Sequence, residues 1–266
     1  MISRAELQRL ARAGAVDERT QERDYVLTWL LAGMANNPLG LVFKGGTCLR
    51  RCYIAGYRYS EDLDFTLPTG ATAIDAVDAV GAWCIWLGEK TGVRAEAIAD
   101  VASPQRRAWV SFQGPLAAQR DRAIKVDVAT DETVIGSVVE RPLLSEYSDL
   151  PTGSHRVPSY SLEDIWAEKT RSLMQRAEPR DLYDLASLAE MDGGLAERAR
   201  ALFEDKTRSK GLDPADLAAR LSLRETSMQR RWVERLRDQV GAVPPFESTW
   251  RAVRRALRQA GYLGAE

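Results

Sequence analysis

The sequence predicts an α+β protein in which a domain of mixed strands and helices precedes a helical domain. Three observations support this: a strand–turn–helix–strand pattern near the N-terminus, a proline-rich stretch at 151–158, and helical periodicity after that stretch. With 266 residues, of which 45% are hydrophobic, the chain is long enough to bury a core in each of two domains. We therefore predict an N-terminal domain over 1–150, a linker over 151–158 and a C-terminal helical domain over 159–266.

The N-terminal domain is expected to begin with a helix over residues 4–37. An apolar strand at 41–43 then turns through two glycines into a helix of about three turns at 47–57. Gly56 can end that helix, so that the chain returns as a strand at 62–67. The remaining elements predicted here are a helix at 73–92 and strands at 93–101, 108–114 and 124–129.

The residues after the proline-rich stretch have the end signals of helices. Ser161 to Asp164 resembles a capping box, which predicts a helix running to about Arg176. Pro179 suits the first turn of a following helix. That helix carries Asp181 and Asp184, which are three residues apart and therefore share one face.

The glycine pair lies in the run Lys44-Gly45-Gly46-Thr47. A Gly-Gly turn at the start of a helix can bind phosphate, because bare backbone N–H groups converge there. Thr47 would add a hydroxyl and a helix N-terminal amide. A tight turn without a ligand is the alternative interpretation of the same residues.

Three aspartates form a candidate metal site. Asp62 and Asp64 alternate with Leu63 and Phe65 in the predicted strand, so both carboxylates lie on one face. Like charges there repel, and a hard divalent cation with its preference for oxygen ligands would neutralise them. Asp127, isolated in an apolar strand, is the candidate third ligand; a strand residue that faces solvent is the alternative. A phosphate site and metal carboxylates within twenty residues indicate phosphoryl or nucleotidyl transfer.

The chain resembles the AbiEii/AbiGii-type nucleotidyltransferase toxins, a family of the DNA polymerase β-like superfamily that includes the mycobacterial MenT toxins. The similarity covers roughly residues 20–190. It rests on Asp24-Tyr25-Val26-Leu27, on Phe43-Lys44-Gly45-Gly46-Thr47-Cys48-Leu49-Arg50, on Arg58-Tyr59-Ser60-Glu61-Asp62-Leu63-Asp64-Phe65, on Glu168-Lys169-Thr170 and on Arg180-Asp181-Leu182-Tyr183-Asp184-Leu185.

This resemblance implies a polymerase β-like nucleotidyltransferase domain with a mixed sheet, followed by an α-helical domain, with the nucleotide in the cleft between them. The implied reaction is Mg²⁺-dependent (or Mn²⁺-dependent) transfer of NMP from an NTP, with release of pyrophosphate. The implied catalytic residues are Asp62, Asp64, Lys169 and Asp184, with Lys169 on the β- and γ-phosphates. The expected nucleotide-binding residues are Lys44, Gly45, Gly46, Thr47, Ser60, Lys169 and Asp181, and the metal ligands Asp62, Asp64 and Asp127.

The resemblance also implies a role as the toxin of a toxin–antitoxin or phage-defence system, with a cognate antitoxin as partner and the 3′ end of tRNA as acceptor. The charge distribution is consistent with RNA. Residues 206–258 contain thirteen basic and six acidic residues, a net charge of +7, whereas the remainder carries −8. The RNA-binding candidates are Arg230, Arg231, Arg235 and Arg237. A solvated helix surface explains the same residues equally well.

The same residues are compatible with two other functions. Related transferases modify small molecules or protein hydroxyls, which would change the acceptor and keep the chemistry. A non-catalytic nucleotide- or RNA-binding module is the other alternative, although it would be expected to lack the metal ligands. The single histidine, His155, disfavours hydrolases that need a catalytic histidine.

Composition predicts a cytoplasmic protein without membrane association. No stretch approaches 18 apolar residues, and no signal peptide opens the chain. Three cysteines in mostly apolar surroundings indicate reduced core residues.

Overall fold

The computed structural model describes residues 1–67, 75–103, 106–117, 123–130, 132 and 134–264. It shows the predicted α+β architecture, with a seven-stranded mixed sheet and many helices. The chain forms two compact units. The first comprises Met1–Val134, Val138–Ser159 and Asp238–Gly241, and the second comprises Ile135–Ser137, Tyr160–Arg237 and Ala242–Glu266.

The first unit contains the sheet. Its strands are β1 (Val42–Lys44), β2 (Asp62–Thr66), β3 (Arg94–Ala99), β4 (Arg107–Gln113), β5 (Ala123–Ala129), β6 (Val138–Pro142) and β7 (Arg156–Tyr160). Its helices are α1 (Arg4–Ala13), α2 (Glu18–Asn36), α3 (Gly45–Cys48), which continues as a π-helical turn over Leu49–Tyr53, and α4 (Ala76–Thr91).

The strand order is β3-β4-β5-β2-β1-β7-β6. Strand β2 runs parallel to β5 and antiparallel to β1, so the aspartate-bearing strands are central neighbours. Leu63 and Phe65 of β2 are fully buried, as their alternation with the aspartates predicts. The sheet therefore directs its apolar side chains into the core and presents the charged ones on the opposite side.

Several predicted boundaries differ from the structure. The single helix expected over 4–37 is two helices, because Ala15 adopts a positive φ of 51° and the Asp17 side chain caps a new helix by accepting from Thr20 N. The helix expected over 47–57 begins earlier, at Gly45, and its π-helical turn ends at Tyr53. Part of the predicted linker is strand β7, which pairs with β1.

One predicted helix is described only in part, and one strand of the structure was not predicted. Residues 73 and 74 of the helix expected over 73–92 lie outside the described residues. Strand β6 was not predicted, because it exposes or half-exposes each of its residues and has no alternating apolar pattern.

The second unit is helical. Its helices are α5 (Leu162–Gln175), α6 (Pro179–Met191), α7 (Leu195–Arg198), α8 (Arg200–Ser209), α9 (Leu217–Leu236) and α10 (Phe246–Gln259), with a 3₁₀ turn at Pro214–Asp216. Ser161 caps α5 by accepting a hydrogen bond from Asp164 N, as predicted. The core of this unit includes Trp166, Trp232 and Trp250. Within the described part of the chain, every helix is too short or too polar to span a bilayer.

Candidate active site

The Gly-Gly turn packs directly against a charged side chain of β2 and another of the segment that precedes β2. Gly45 has a φ of +83°, which favours glycine, and a Cβ atom added there would lie 2.6 Å from Asp64 Oδ2. A Cβ atom added to Gly46 would lie 2.5 Å from Arg58 Nη2. Both glycines are therefore required locally, because their bare backbone leaves room for a carboxylate and a guanidinium.

Four charged residues form one row across four neighbouring strands. Arg107 of β4 lies opposite Asp127 of β5, Asp127 lies beside Asp64 of β2, and Asp64 lies opposite Lys44 of β1. In this row the two carboxylates are flanked by a cation on each side. Asp62 lies one step away on the same face and is paired in register with Lys125.

The site is dense in charge, and its ion pairs form both within a strand and between different segments. Arg107 Nε donates to Asp127 Oδ1 at 2.5 Å, and Lys125 Nζ lies 2.8 Å from Asp127 Oδ2. Lys44 Nζ binds Glu132, in the segment after β5. Burial, opposed by Lys44 and reinforced by the charge of Asp62, raises the pKa of Asp64 to about 6.

The two hydroxyl groups predicted to bind phosphate, those of Thr47 and Ser60, both lie close to the glycine turn and β2. The Thr47 hydroxyl donates to the backbone carbonyl of Asp62 at 2.5 Å, so it joins the turn to β2. Ser60 is half-buried, and its Oγ would lie 3.3 Å from a Cβ atom on Gly46.

Three charged residues of the site, Arg107, Lys125 and Glu132, were not predicted from the sequence. Alternation along β5 could have identified Lys125, since it lies two residues before Asp127.

A second charged group lies in the helical unit. Lys169 Nζ is 2.9 Å from Asp181 Oδ1 and 2.8 Å from Asp184 Oδ2, and both carboxylates are buried. Arg176 donates to Asp181 through Nε at 2.8 Å. Although burial opposes ionisation, Lys169 and Arg176 hold the pKa of Asp181 below its usual value. Two carboxylates on one helix face thus fix the ammonium group of Lys169.

The predicted RNA-binding arginines differ in their surroundings. Arg231 and Arg235 both pair with Glu178, at 3.4 and 3.1 Å, just before α6. Arg230 and Arg237 are exposed. The i, i+4 spacing of Arg231 and Arg235 therefore serves first to connect α9 to the start of α6.

The carboxylates of the sheet have the donor chemistry that a divalent cation requires. Carboxylates from β2 and β5 share one face at register-paired positions, and their mutual repulsion contributes to the raised pKa of Asp64, so the donor chemistry fits. Among the residues that the structure describes, no three His, Cys, Asp or Glu side chains are grouped so that they could hold a metal ion. The assignment of Asp62, Asp64 and Asp127 as metal ligands stays a prediction.

A buried network of ion pairs holds the π-helical turn that follows the two glycines. The two arginines of the π-helical turn, Arg50 and Arg51, both bind Asp24 of α2, with Arg50 Nε 2.8 Å from Asp24 Oδ1. Glu146 accepts from the same two arginines at 3.0 and 2.7 Å, and the Tyr147 hydroxyl donates to Asp24 Oδ2 at 2.5 Å. The network thereby anchors to α2 the segment that follows the turn.

A mixed sheet with paired strand carboxylates beside a Gly-Gly turn is typical of nucleotidyltransferases. Comparison with known proteins assigns the chain to the same class. A model of the nucleotidyl transferase AbiEii toxins of type IV toxin–antitoxin systems matches residues 29–259. The chain belongs to this family, and it is a nucleotidyltransferase. No curated protein sequence matches the chain.

One solved structure extends the comparison to the fold. MenT4, a nucleotidyltransferase toxin from Mycobacterium tuberculosis H37Rv, is similar with a TM-score of 0.65 and 18% identity over 100% of this chain and 91% of that chain. At this level of identity the likeness establishes the fold. It spans both units of the chain described above.

Replacement of Gly45 by alanine is expected to reduce nucleotidyl transfer by displacing the Asp64 carboxylate, which a Cβ atom would contact at 2.6 Å. The matched control is Gly40→Ala, because Gly40 also has a positive φ of 75° but has open space around its Cβ position. Both variants should lose about 1–2 kcal/mol of stability from the left-handed backbone. Only Gly45→Ala should lose activity, and equal activity in both variants would contradict the assigned role of this contact.

Proposed function

We propose that this protein is a Mg²⁺-dependent nucleotidyltransferase toxin that transfers NMP from an NTP to the 3′ end of tRNA. It acts in the cytoplasm as part of a toxin–antitoxin or phage-defence system and has a cognate antitoxin. The family itself implies an NTP substrate and an antitoxin.

The observation that carries the metal requirement is the contact between the Gly-Gly turn and Asp64. A phosphate at this turn would lie beside the Asp64 carboxylate, and two anions at this separation repel unless a cation lies between them. Asp62 and Asp64 would hold that cation, with Asp127 as the third ligand once its ion pairs open. When bound, the cation would neutralise phosphate charge and lower the pKa of the attacking hydroxyl.

In the proposed reaction the acceptor hydroxyl oxygen attacks the α-phosphorus of the NTP. The bond from this phosphorus to the bridging oxygen breaks, pyrophosphate leaves, and the hydroxyl proton passes to solvent. Gly45 and Gly46 give the phosphates access to the backbone, with Lys44 and Ser60 beside them. Lys169, held by Asp181 and Asp184, would offset the charge of the departing pyrophosphate.

The tRNA acceptor is supported by the charge of the helical unit. Helices α9 and α10 include the exposed arginines Arg230, Arg251 and Arg255, in a region with a net charge of +7. Arg231 and Arg235 would reach RNA only in exchange for their contact with Glu178. Arg230 and Arg237 present their side chains at the surface.

The proposal is tested with each of the four α-³²P-labelled NTPs, Mg²⁺ and total tRNA. We expect labelled RNA that loses its label on 3′-terminal trimming, and no transfer to tRNA whose terminal diol has been oxidised with periodate. Addition of EDTA should abolish the reaction. Label on protein or on a small molecule would identify the alternative acceptors, and no label on any acceptor would refute the catalytic proposal.

A further inference from the structure

Lys125 lies inside the carboxylate group of the sheet. It pairs in register with Asp62, and its Nζ atom lies 2.8 Å from Asp127 Oδ2 and 3.7 Å from Asp62 Oδ2. Because Lys125 and Asp127 are two residues apart on β5, both project from the same face. The ammonium group therefore bridges two carboxylates that belong to different strands.

The charge of Lys125 is maintained by its surroundings. Although burial opposes it, the hydrogen bond to Asp127 and the charges of Asp62, Asp127 and Asp64 raise the pKa of Lys125. An ammonium group that lies 2.8 and 3.7 Å from two carboxylate oxygens is charged at neutral pH. It persists as an internal counterion of the site.

The ion-paired side chains around these carboxylates partly neutralise one another. The acids are Asp62, Asp64, Asp100, Asp127 and Glu132, and the bases are Lys44, Lys125 and Arg107, which together carry a net charge of −2. One divalent cation would neutralise this charge. A second divalent cation would make the site positive, unless further negative charge arrived with it.

We propose that Lys125 takes the position between Asp62 and Asp127 that a second divalent cation would need, and that it thereby weakens divalent-cation binding to the nucleotide-free protein. The inference rests on the proposed metal dependence and deepens it by giving this lysine a part in the order of binding. The triphosphate supplies the missing negative charge, so the metal is taken up together with the nucleotide. Lys125 thus limits metal binding before the substrate arrives.

The test measures Mn²⁺ binding to the full chain without nucleotide, by the electron paramagnetic resonance signal of free Mn²⁺. Lys125→Gln and Lys125→Met remove the charge, and both should bind Mn²⁺ at least about tenfold more tightly than the parent protein. Lys125→Arg keeps the charge and should bind as the parent does. Lys90→Gln, an exposed lysine on α4, is the matched control and should also leave binding unchanged. Thermal unfolding of each variant establishes that it is folded.

The outcomes separate this inference from the proposed function. Equal Mn²⁺ affinity of the parent protein and both neutral variants would overturn the role of Lys125, as would a failure of all of them to bind Mn²⁺. The transferase assay with Mg²⁺, tRNA and NTP is run in parallel. Transfer that requires Mg²⁺ would uphold the proposed metal dependence even where the role of Lys125 is overturned.

Discussion

Replacement of Asp24 by alanine is expected to lower the free energy of unfolding by about 3–5 kcal/mol, because it removes the buried counterion that two buried arginines share. Asp24, Arg50 and Arg51 are each at most 4% exposed, and Asp24 binds both arginines directly. Glu146 remains as a partner but is more exposed. Chemical denaturation of the parent and variant proteins measures the difference.

The matched control for this prediction lies one residue away on the same helix. Arg23→Gln removes an ion pair to Glu61 whose side chains are 27% and 48% exposed, and it should cost less than about 1 kcal/mol. If Asp24→Ala cost no more than this control, the network would contribute little to the fold. A large loss in Asp24→Ala would establish that α2 and the segment after the glycine turn are held together by this buried charge.

Replacement of Asp64 by asparagine is expected to reduce nucleotidyl transfer by roughly 10³-fold or more, a loss typical of a principal catalytic group. The substitution preserves shape but removes the negative charge beside the Gly-Gly turn. Stability should be retained or increased at neutral pH. The pKa of Asp64 is raised in the folded state, so the ionised carboxylate opposes folding above that pKa, and a neutral amide removes this cost.

Steady-state transfer rates and thermal unfolding of the same preparation check both parts. Glu61→Gln is the matched control, because Glu61 is an exposed acid in the same segment and should leave transfer near the parent rate. Inactive but fully stable Asp64→Asn protein would support a catalytic role. Near-normal transfer would remove Asp64 from the proposed site, and unfolding would mean that the residue is structural.

The strongest local patterns of the sequence correspond to features of the structure. Alternation around Leu63 and Phe65 predicted which side chains of β2 are buried, because period two assigns faces without reference to the rest of the chain. The hydroxyl of Ser161 predicted the start of α5, because a helix N-terminus is satisfied within one turn. Such features depend on neighbours a few residues away, so they can be read from one chain.

Other features depend on contacts between distant segments. Strand register decides which carboxylates have counterions. It places Arg107 opposite Asp127, although the two residues are twenty positions apart in the sequence. The contact of Arg231 and Arg235 with Glu178 likewise connects residues more than fifty positions apart, and spacing alone indicated only that the two arginines share a face.

The sequence by itself determined the α+β class, the aspartate face of β2 and membership of a nucleotidyltransferase toxin family, because these depend on local periodicity and on motif order. Only the tertiary structure decided that Lys125 bridges Asp62 and Asp127, that Lys169 is fixed by Asp181 and Asp184, and that Asp24 holds the π-helical turn. The physical reason is that ion pairs form through space, between groups whose separation is set by packing and register.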